Sequence, residues 1–334
     1  MNPLELTCIG NTGVKVTRLG LGGAPLSGMT LVGGLFGGAA REEAMRIIKL
    51  AFDLGIKYFD TAPLYGTGRS EARYGDVLPT LPRDSFVLST KVGRILKRTD
   101  AVDTPDDDEL LKLEPVFDLS RDGILKSVEE SLRRLKLDSV EILFLHDPDT
   151  EALENEAMAT AFPTMLELRE QGVVKAIGCG MNQWQVPARF IKAIDLDVVL
   201  LAGRFTLLDH DAFDEFLPLC LERNVKLVIG GPYNSGILAR DLDKPVSFNY
   251  TPAPQPWIDR ARALKKVCDR HDVSLKATAL QYVSAHPTVV SVIPGVGSVS
   301  ELEENVRLAA VEIPSALWEE LKEERLIPQT AVTP

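Results

Sequence analysis

Three apolar runs of this sequence end in an ionisable residue. Asp60, Lys91 and His146 each close a run that is typical of a buried strand, and Tyr65 lies in the turn just after Asp60. Taken singly, each residue has an ordinary structural explanation, since charges often cap strand ends and tyrosines often pack. If the three strands are neighbours in a parallel barrel, the four side chains meet on one rim.

A phenol, an ammonium, a carboxylate and an imidazole form a set that can move protons. A phenol has a pKa of about 10 in water, so Tyr65 is a poor acid or base at neutral pH unless a cation stabilises its anion. We expect Lys91 to supply that charge and Asp60 to hold and balance Lys91. We expect His146 to hydrogen-bond the substrate oxygen. The set suits the interconversion of an alcohol and a carbonyl, with a nicotinamide carrying the hydride.

The elements that must position these side chains alternate between short β-branched runs and amphipathic stretches, which predicts repeated βα units. The predicted strands are Leu19–Gly22, Lys57–Asp60, Phe86–Lys91, Val140–His146, Val174–Gly178, Val198–Leu201, Lys226–Gly230 and Val289–Ile293. The predicted helices include Arg41–Leu54, Arg121–Leu135, Ala157–Glu170, Ala212–Arg223 and Trp257–His271. Gly55 and Gly172 lie where C-terminal helix caps are expected.

Eight βα units without a break in composition favour a single (β/α)8 barrel domain over residues 1–334 rather than a doubly wound sheet. Before the first unit, Leu6 to Val16 predicts a hairpin around Asn11-Thr12-Gly13 that can close the bottom of the barrel.

Three connections are long, and each follows a strand, so all three are expected on the face that carries the active site. They span residues 24–40, 93–120 and 232–256. We predict Phe36 in the first, Asn249 and Tyr250 in the third, and Trp257 directly after the third as walls of the substrate pocket. The acidic run 106–109 in the second is interpreted as solvated surface.

The composition excludes several classes of function. Apolar residues make up 45% and charged residues 25%, which is typical of a globular protein, and the net charge of -11 disfavours nucleic acid and anionic membranes as partners. No apolar run could span a bilayer and no signal peptide is visible, so we expect a cytoplasmic protein that acts on a small molecule. The 4 histidines lack ligand spacing, so no metal is expected.

Several strings of the sequence resemble the aldo-keto reductase family. YFDTAPLYG at 58–66, LSTKVG at 88–93 and FLHDPD at 144–149 resemble the signatures that contain its Asp-Tyr-Lys-His tetrad. Four further strings resemble the sugar 1-dehydrogenase branch of the family, namely GGAPL at 22–26, GMNQW at 180–184, LAGRFTLLD at 201–209 and NSG at 234–236. That branch holds D-threo-aldose (L-fucose) and L-galactose dehydrogenases and a pyridoxal 4-dehydrogenase.

This resemblance implies a (β/α)8 barrel, the catalytic tetrad Asp60, Tyr65, Lys91 and His146, and a nicotinamide cofactor. The residues that it implies for cofactor binding are Gly22, Gly23, Asp60, Asn182, Gln183, Arg204, Gly231, Tyr233, Asn234, Ser235, Gly236, Pro294, Gly295, Val296, Gly297, Glu301, Glu304 and Asn305.

Around the nicotinamide, the cofactor positions depart from the family pattern. Ala202 replaces a glutamine, and Gly230 aligns with the tyrosine that stacks on the nicotinamide, so Phe205 or Tyr233 is expected to substitute for it.

Gly295 and Glu301 stand where NADP-preferring members carry a lysine and an arginine. A glutamate repels a 2'-phosphate but can accept a hydrogen bond from a ribose hydroxyl, so the resemblance implies NAD in preference to NADP. The alternative for Glu301 is a helix N-terminal charge.

We therefore expect NAD-dependent oxidation of a free aldose of the L-fucose, D-threo-aldose or L-galactose type at C1, giving the lactone. Oxidation of pyridoxal and general reduction of aldehydes or ketones are the alternatives with the same chemistry. A non-catalytic nucleotide-binding subunit and a metal-dependent barrel isomerase or hydrolase are the alternatives from other classes.

Overall fold

The computed structural model of the protein describes residues 2–28, 38–99 and 112–334. Its strands are β1 (Leu6–Cys8), β2 (Lys15–Thr17), β3 (Leu21–Gly22), β4 (Tyr58–Asp60), β5 (Val87–Val92), β6 (Arg94–Arg98), β7 (Leu113–Phe117), β8 (Ile142–His146), β9 (Ala176–Met181), β10 (Val198–Ala202), β11 (Lys226–Gly230), β12 (Ser247–Phe248), β13 (Thr251–Pro252) and β14 (Val289–Ile293). Its helices are α1 (Arg41–Asp53), α2 (Arg69–Val77), α3 (Arg121–Leu135), α4 (Glu154–Glu156), α5 (Phe162–Glu170), α6 (Gln185–Ala193), α7 (Phe216–Glu222), α8 (Gln255–Arg270), α9 (Leu275–Ser284), α10 (Val299–Ala310) and α11 (Ser315–Glu323).

Eight parallel strands follow one another around a barrel. The hydrogen-bonded order is β3, β4, β5, β8, β9, β10, β11 and β14. Isolated parallel bridges join Leu19 to Val292 and Gly22 to Gly295, so the last strand returns beside the first. The predicted (β/α)8 barrel is therefore confirmed, and each predicted strand overlaps an observed one.

Two apolar clusters hold the barrel together. One lies between the strands and the surrounding helices, and the other fills the barrel interior. The antiparallel pair β1–β2 forms the predicted hairpin, and Ile9, Val14 and Val16 from it belong to the interior cluster beside Phe144 and Val198. The hairpin therefore closes one end of the barrel, and burial of its apolar side chains stabilises that position.

Helix ends follow local chemistry. Helix α3 spans the predicted residues, and its N-cap Ser120 accepts a hydrogen bond from the backbone of Gly123. Gly55 and Gly172 adopt positive φ values of 93° and 74° after α1 and α5, as helix-ending glycines do. Helix α7 begins at Phe216, four residues later than predicted, because the preceding residues form turns.

The long connections contain structure that the sequence did not reveal. Strands β6 and β7 pair as an antiparallel hairpin in the second connection, and β12 pairs with β13 in the third. Phe36 and the acidic run 106–109 lie outside the described residues. Within the described ranges, no helix is long and apolar enough to cross a membrane.

Candidate active site

A buried ion pair lies at the centre of the rim. Lys91, on β5, donates to both carboxylate oxygens of Asp60 at 2.9 and 2.8 Å and to the carbonyl of Thr61 at 2.8 Å. Ser89 donates a further hydrogen bond of 2.7 Å to Asp60. The two charged side chains are 1% and 2% exposed, so water hardly screens their attraction. This network fixes the ammonium at one point of the rim.

Tyr65 and His146 lie beside this pair. The Lys91 nitrogen is 4.7 Å from the centre of the Tyr65 ring, above its face. The Tyr65 and His146 rings are perpendicular, with centroids 5.7 Å apart. The barrel register therefore brings the four predicted side chains together, because β4, β5 and β8 are consecutive neighbours. Their catalytic roles remain predictions.

The pKa values of Tyr65 and His146 are shifted in opposite directions. Burial, followed by the carboxylates of Asp60 and Asp147, raises the pKa of Tyr65 well above its usual value. The net pKa of Tyr65 therefore lies above its usual value rather than below it, and Lys91, which was expected to lower it, is bound to Asp60. Burial, with Lys91 and Arg94, lowers the pKa of His146 well below its usual value. At neutral pH, Tyr65 is a neutral phenol and His146 a neutral imidazole.

A cleft of about 310 Å³ opens over the ends of β10, β11 and β14, and none of the four tetrad side chains is among the described residues that line it. Most of the predicted cofactor residues line it, namely Asn182, Arg204, Gly231, Tyr233, Asn234, Ser235, Gly236, Pro294, Gly295, Gly297, Glu301, Glu304 and Asn305. Tyr250 lines it too, and the carboxylate of Asp147 raises the pKa of Tyr250. Since Asp147 follows His146 directly, this coupling connects the cleft to the tetrad.

The cleft fits a dinucleotide. Gly203 and Gly231 border it with positive φ values of 72° and 57°, and a Cβ built on Gly231 meets no atom closer than 3.9 Å. Such bare backbone lets a ligand approach closely. The lining also offers an amide in Asn182, carboxylates for sugar hydroxyls, and cations for a diphosphate.

Five predicted cofactor residues do not join the cleft lining in the described part of the chain, and one of them, Asp60, belongs to the buried ion pair. Gly22 and Gly23 are packing positions, because a Cβ would come within 2.9 Å of the Ile293 carbonyl and 2.5 Å of the Asp60 carbonyl, respectively. Val296 is 1% exposed and belongs to the core.

Gln183 is the fifth of these residues. Its side chain is used elsewhere, donating to Asp149 at 3.2 Å and accepting from the backbone of Val186 at 2.9 Å. In this arrangement Gln183 does not line the cleft, and its contact with a cofactor stays a prediction.

Of the residues predicted to form the substrate wall, some line the cleft and others do not. Trp257 stacks on Phe248 with ring centroids 4.2 Å apart, and within the described residues it is not part of the cleft lining. Asn249 lines the cleft and accepts a 2.7 Å hydrogen bond from Arg204.

The two residues expected to stack on the nicotinamide have other partners. Phe205 is 2% exposed and packs against Phe213 and Tyr282 inside the protein, which removes it from the cleft. Tyr233 does line the cleft, but its hydroxyl donates a 2.7 Å hydrogen bond to Asn305 on α10. Phe205 is therefore buried away from the cleft, and Tyr233 is anchored to Asn305 within α10.

Glu301 caps a helix and also borders the cleft. Its carboxylate accepts a 2.7 Å hydrogen bond from the backbone of Gly297, and its own backbone donates to the side chain of Ser298 at 3.3 Å. This is a helix-capping arrangement in a residue that also borders the cleft. At Gly295, a Cβ would lie 2.7 Å from the ring of Pro25, so a lysine there requires a rearrangement.

Two cations of the lining were missed by sequence reasoning. Arg240 follows the loop after β11, and Lys276, near the start of α9, forms a 2.7 Å ion pair with Glu304. Arg240 lies four residues after the predicted cofactor residue Gly236, so its place in the same connection could have indicated it. Lys276 carries no motif, and only the fold brings it to the cleft. In the described part of the chain, no group of three or more His, Cys, Asp or Glu side chains is placed to hold a metal ion.

The parallel barrel and the side chains that converge on its rim define a class, a (β/α)8 enzyme with its site at the carboxyl ends of the strands. The chain belongs to the aldo/keto reductase family, whose model matches residues 18–325. It is thus an oxidoreductase of a family that uses nicotinamide cofactors.

Individual relatives resemble the chain over nearly its full length. It is 40% identical to D-threo-aldose 1-dehydrogenase from Pseudomonas sp, covering 95% of this chain and 96% of the relative. It is 38% identical to pyridoxal 4-dehydrogenase from Microbacterium luteolum, covering 97% and 98%. A solved aldo-keto reductase from Bacillus halodurans in its holo form superposes with a TM-score of 0.76 at 24% identity, covering 98% of both chains, which supports the fold.

Proposed function

We propose that this protein is an NAD-dependent dehydrogenase that oxidises a free aldose at C1 to the lactone. The observation that carries this proposal is the 40% identity to D-threo-aldose 1-dehydrogenase over 95% of the chain. It is supported by the convergence of Tyr65, His146 and the buried Lys91–Asp60 pair on one rim.

Each side chain of the tetrad has a task that follows from its surroundings. Tyr65, a neutral phenol, exchanges a proton with the substrate oxygen. His146, a neutral imidazole, orients that oxygen by a hydrogen bond. The Lys91–Asp60 pair holds an ammonium over the face of the Tyr65 ring. A nicotinamide dinucleotide, held along the cleft by Asn182 and the loops after β11 and β14, supplies the hydride acceptor.

NAD is proposed as the preferred cofactor because the end of the cleft that carries Glu301 and Glu304 lacks a cation excess. Lys276 is paired with Glu304 at 2.7 Å, which balances its charge. The carboxylate of Glu301 adds a negative charge in the same part of the lining. A 2'-phosphate there would meet repulsion, whereas a ribose hydroxyl can donate to a carboxylate oxygen.

The substrate is proposed to lie between Tyr65, His146 and Tyr250, with Asn249 holding the cleft wall through Arg204. Initial-rate assays with L-fucose, D-arabinose, L-galactose and pyridoxal, each with NAD and NADP side by side, test the proposal. We expect NADH production with an aldose and a higher kcat/KM with NAD. Absence of reduction of either cofactor by every hydroxyl substrate contradicts it.

Pyridoxal oxidation is the second candidate, favoured by the 38% identity to pyridoxal 4-dehydrogenase over 97% of the chain. It uses the same proton chemistry, because pyridoxal also presents a hemiacetal hydroxyl. In the same assays, a kcat/KM for pyridoxal above that of every aldose selects this candidate.

A further inference from the structure

One carboxylate beside the tetrad has no assigned task. The Asp147 side chain lies 3.5 Å from the His146 ring nitrogen Nε2 and is 17% exposed, more than the 8% of His146 itself. Within the described residues, its carboxylate accepts no hydrogen bond; its backbone amide donates to Gly180 at 3.1 Å. Asp147 therefore touches both the buried imidazole and the solvent.

The backbone holds Asp147 in this position at a cost. Successive side chains of a strand point to opposite faces, which would separate Asp147 from His146. Instead, Asp147 adopts left-handed angles, φ 45° and ψ 51°, directly before Pro148. Non-glycine residues rarely adopt these angles, and such departures cluster at functional sites. The turn out of β8 leaves the carboxylate beside the ring of its neighbour.

The charges around Asp147 tune it for proton exchange. Burial and the neighbouring carboxylate of Asp149 raise the pKa of Asp147 to about 6, while the two cations that face it act in the opposite direction. The groups that face Asp147 are Lys91 of β5, Arg94 of β6, Tyr65, Asp149 and Tyr250. Asp147 thus changes charge near neutral pH, where Tyr65 and His146 do not.

We propose, resting on the dehydrogenase function proposed above, that Asp147 carries the proton of the substrate hydroxyl out of the site, receiving it through His146 and releasing it to water. The neutral phenol of Tyr65 makes such an exit necessary. A protonated tyrosine can accept the hydroxyl proton only if it gives up its own.

The proposed oxidation moves one hydride and one proton. The C1–H bond of the alcohol breaks and its electron pair leaves with the hydrogen as hydride; a bound nicotinamide would supply the acceptor of that hydride. The O–H bond breaks and its proton passes to the Tyr65 oxygen, as the phenol proton passes to His146. The imidazolium then gives a proton to the Asp147 carboxylate, and Asp147 gives it to water. The products are the carbonyl compound, the reduced cofactor and one solvated proton.

The first test compares Asp147→Asn with the wild type in aldose oxidation at pH 5–9, a range set by the pKa of about 6. In the wild type, kcat falls as pH drops through that pKa, because protonated Asp147 cannot accept a proton. In the variant, we expect kcat at neutral pH to fall about 10–100-fold, the acid limb to disappear, and the sugar KM to stay within about twofold. An unchanged acid limb overturns the inference.

Two further variants separate proton transfer from a structural role. Glu151→Gln removes an exposed carboxylate four residues further along the same loop and is expected to keep the wild-type pH profile. Asp147→Gly tolerates the left-handed backbone and leaves space, so added formate should restore kcat in proportion to its concentration. A folded Asp147→Gly enzyme that formate does not accelerate counts against the relay.

A second measurement is independent of turnover. In the full-length protein with carbon-13-labelled aspartate carboxyls, a resonance that titrates near pH 6 should be missing from Asp147→Asn. Its presence in both proteins overturns the inference. If the wild type oxidises no hydroxyl substrate, the proposed function and the relay both fail; if it does and Asp147→Asn keeps the acid limb, only the relay fails.

Discussion

The two sides of the rim are built in different ways. On the proton-handling side, Asp60, Lys91 and His146 stand on buried strands, and short hydrogen bonds fix the ion pair. On the cofactor side, the cleft is bordered by loops after β10, β11 and β14, with glycines at positive φ and several half-exposed polar residues. The proton-handling side holds charged groups in fixed positions. The cofactor side presents exposed backbone and adjustable side chains to a ligand.

This difference predicts different responses to mutation. Changes on the proton-handling side should abolish turnover or destabilise the fold, because buried charges tolerate no loss of a partner. Changes on the cofactor side should shift affinity and cofactor choice by smaller factors, because each contact is one of many.

The largest effect is expected for Tyr65→Phe. Phenylalanine keeps the ring over Lys91 and beside His146 but removes the hydroxyl. We expect kcat to fall by about a thousandfold, within the range for loss of a general acid–base group, and the Kd for NAD to stay within about twofold. Stopped-flow turnover and calorimetric titration measure the two quantities. A variant with more than a tenth of wild-type kcat contradicts the assigned role.

The next effect is on stability. Lys91→Met leaves the Asp60 carboxylate buried without its ammonium, which should lower the free energy of unfolding by about 3–5 kcal/mol in urea denaturation. Lys265→Met is the matched control, since Lys265 forms an exposed pair with Asp269 at 2.6 Å. It should cost about 0.5 kcal/mol or less. Equal losses in the two variants would show that burial of the first pair has no energetic consequence.

The sequence predicted these two sides unequally. The strands were readable because runs such as Ile142–His146 are buried throughout, so hydrophobicity marks them without ambiguity. Once the strands are in order, the residues that end them must converge, and the tetrad follows. The backbone conformation of Asp147 and its approach to His146 left no pattern in the sequence.

Loops and long-range packing escaped prediction for physical reasons. Lys276 reaches the cleft from α9 and Pro25 lies against Gly295, contacts that depend on the closed barrel. Trp257 was assigned to the pocket by its type and location, but its ring stacks on Phe248 instead. Gly22 and Gly23 matched a family string, yet they serve strand packing.

A smaller effect is expected for cofactor choice. Glu301→Arg removes a negative charge and adds a cation to the cleft lining, so the ratio of kcat/KM for NADP to that for NAD should rise about tenfold, or about 1.4 kcal/mol. Glu301→Gln is the control, because its amide oxygen can still accept the hydrogen bond from Gly297 while the charge is lost. Steady-state kinetics with both cofactors measure the ratio. If Glu301→Arg leaves the ratio unchanged, Glu301 acts as a helix cap alone.

The smallest effect is expected for Tyr233→Phe, which probes whether single contacts on the cofactor side are weak. The Tyr233 hydroxyl donates to Asn305 at 2.7 Å, and removal of one neutral hydrogen bond should weaken NAD binding by about 1 kcal/mol, roughly fivefold in Kd. The oxidation kcat at saturating NAD should stay unchanged, since the ring remains. Tyr282→Phe is the control, because the Tyr282 hydroxyl is buried without a hydrogen-bond partner in the described residues. Tyr282→Phe should leave the Kd for NAD unchanged. A hundredfold higher Kd in Tyr233→Phe would show that a single contact on the cofactor side is as critical as one on the proton-handling side, and would contradict the contrast between the two sides.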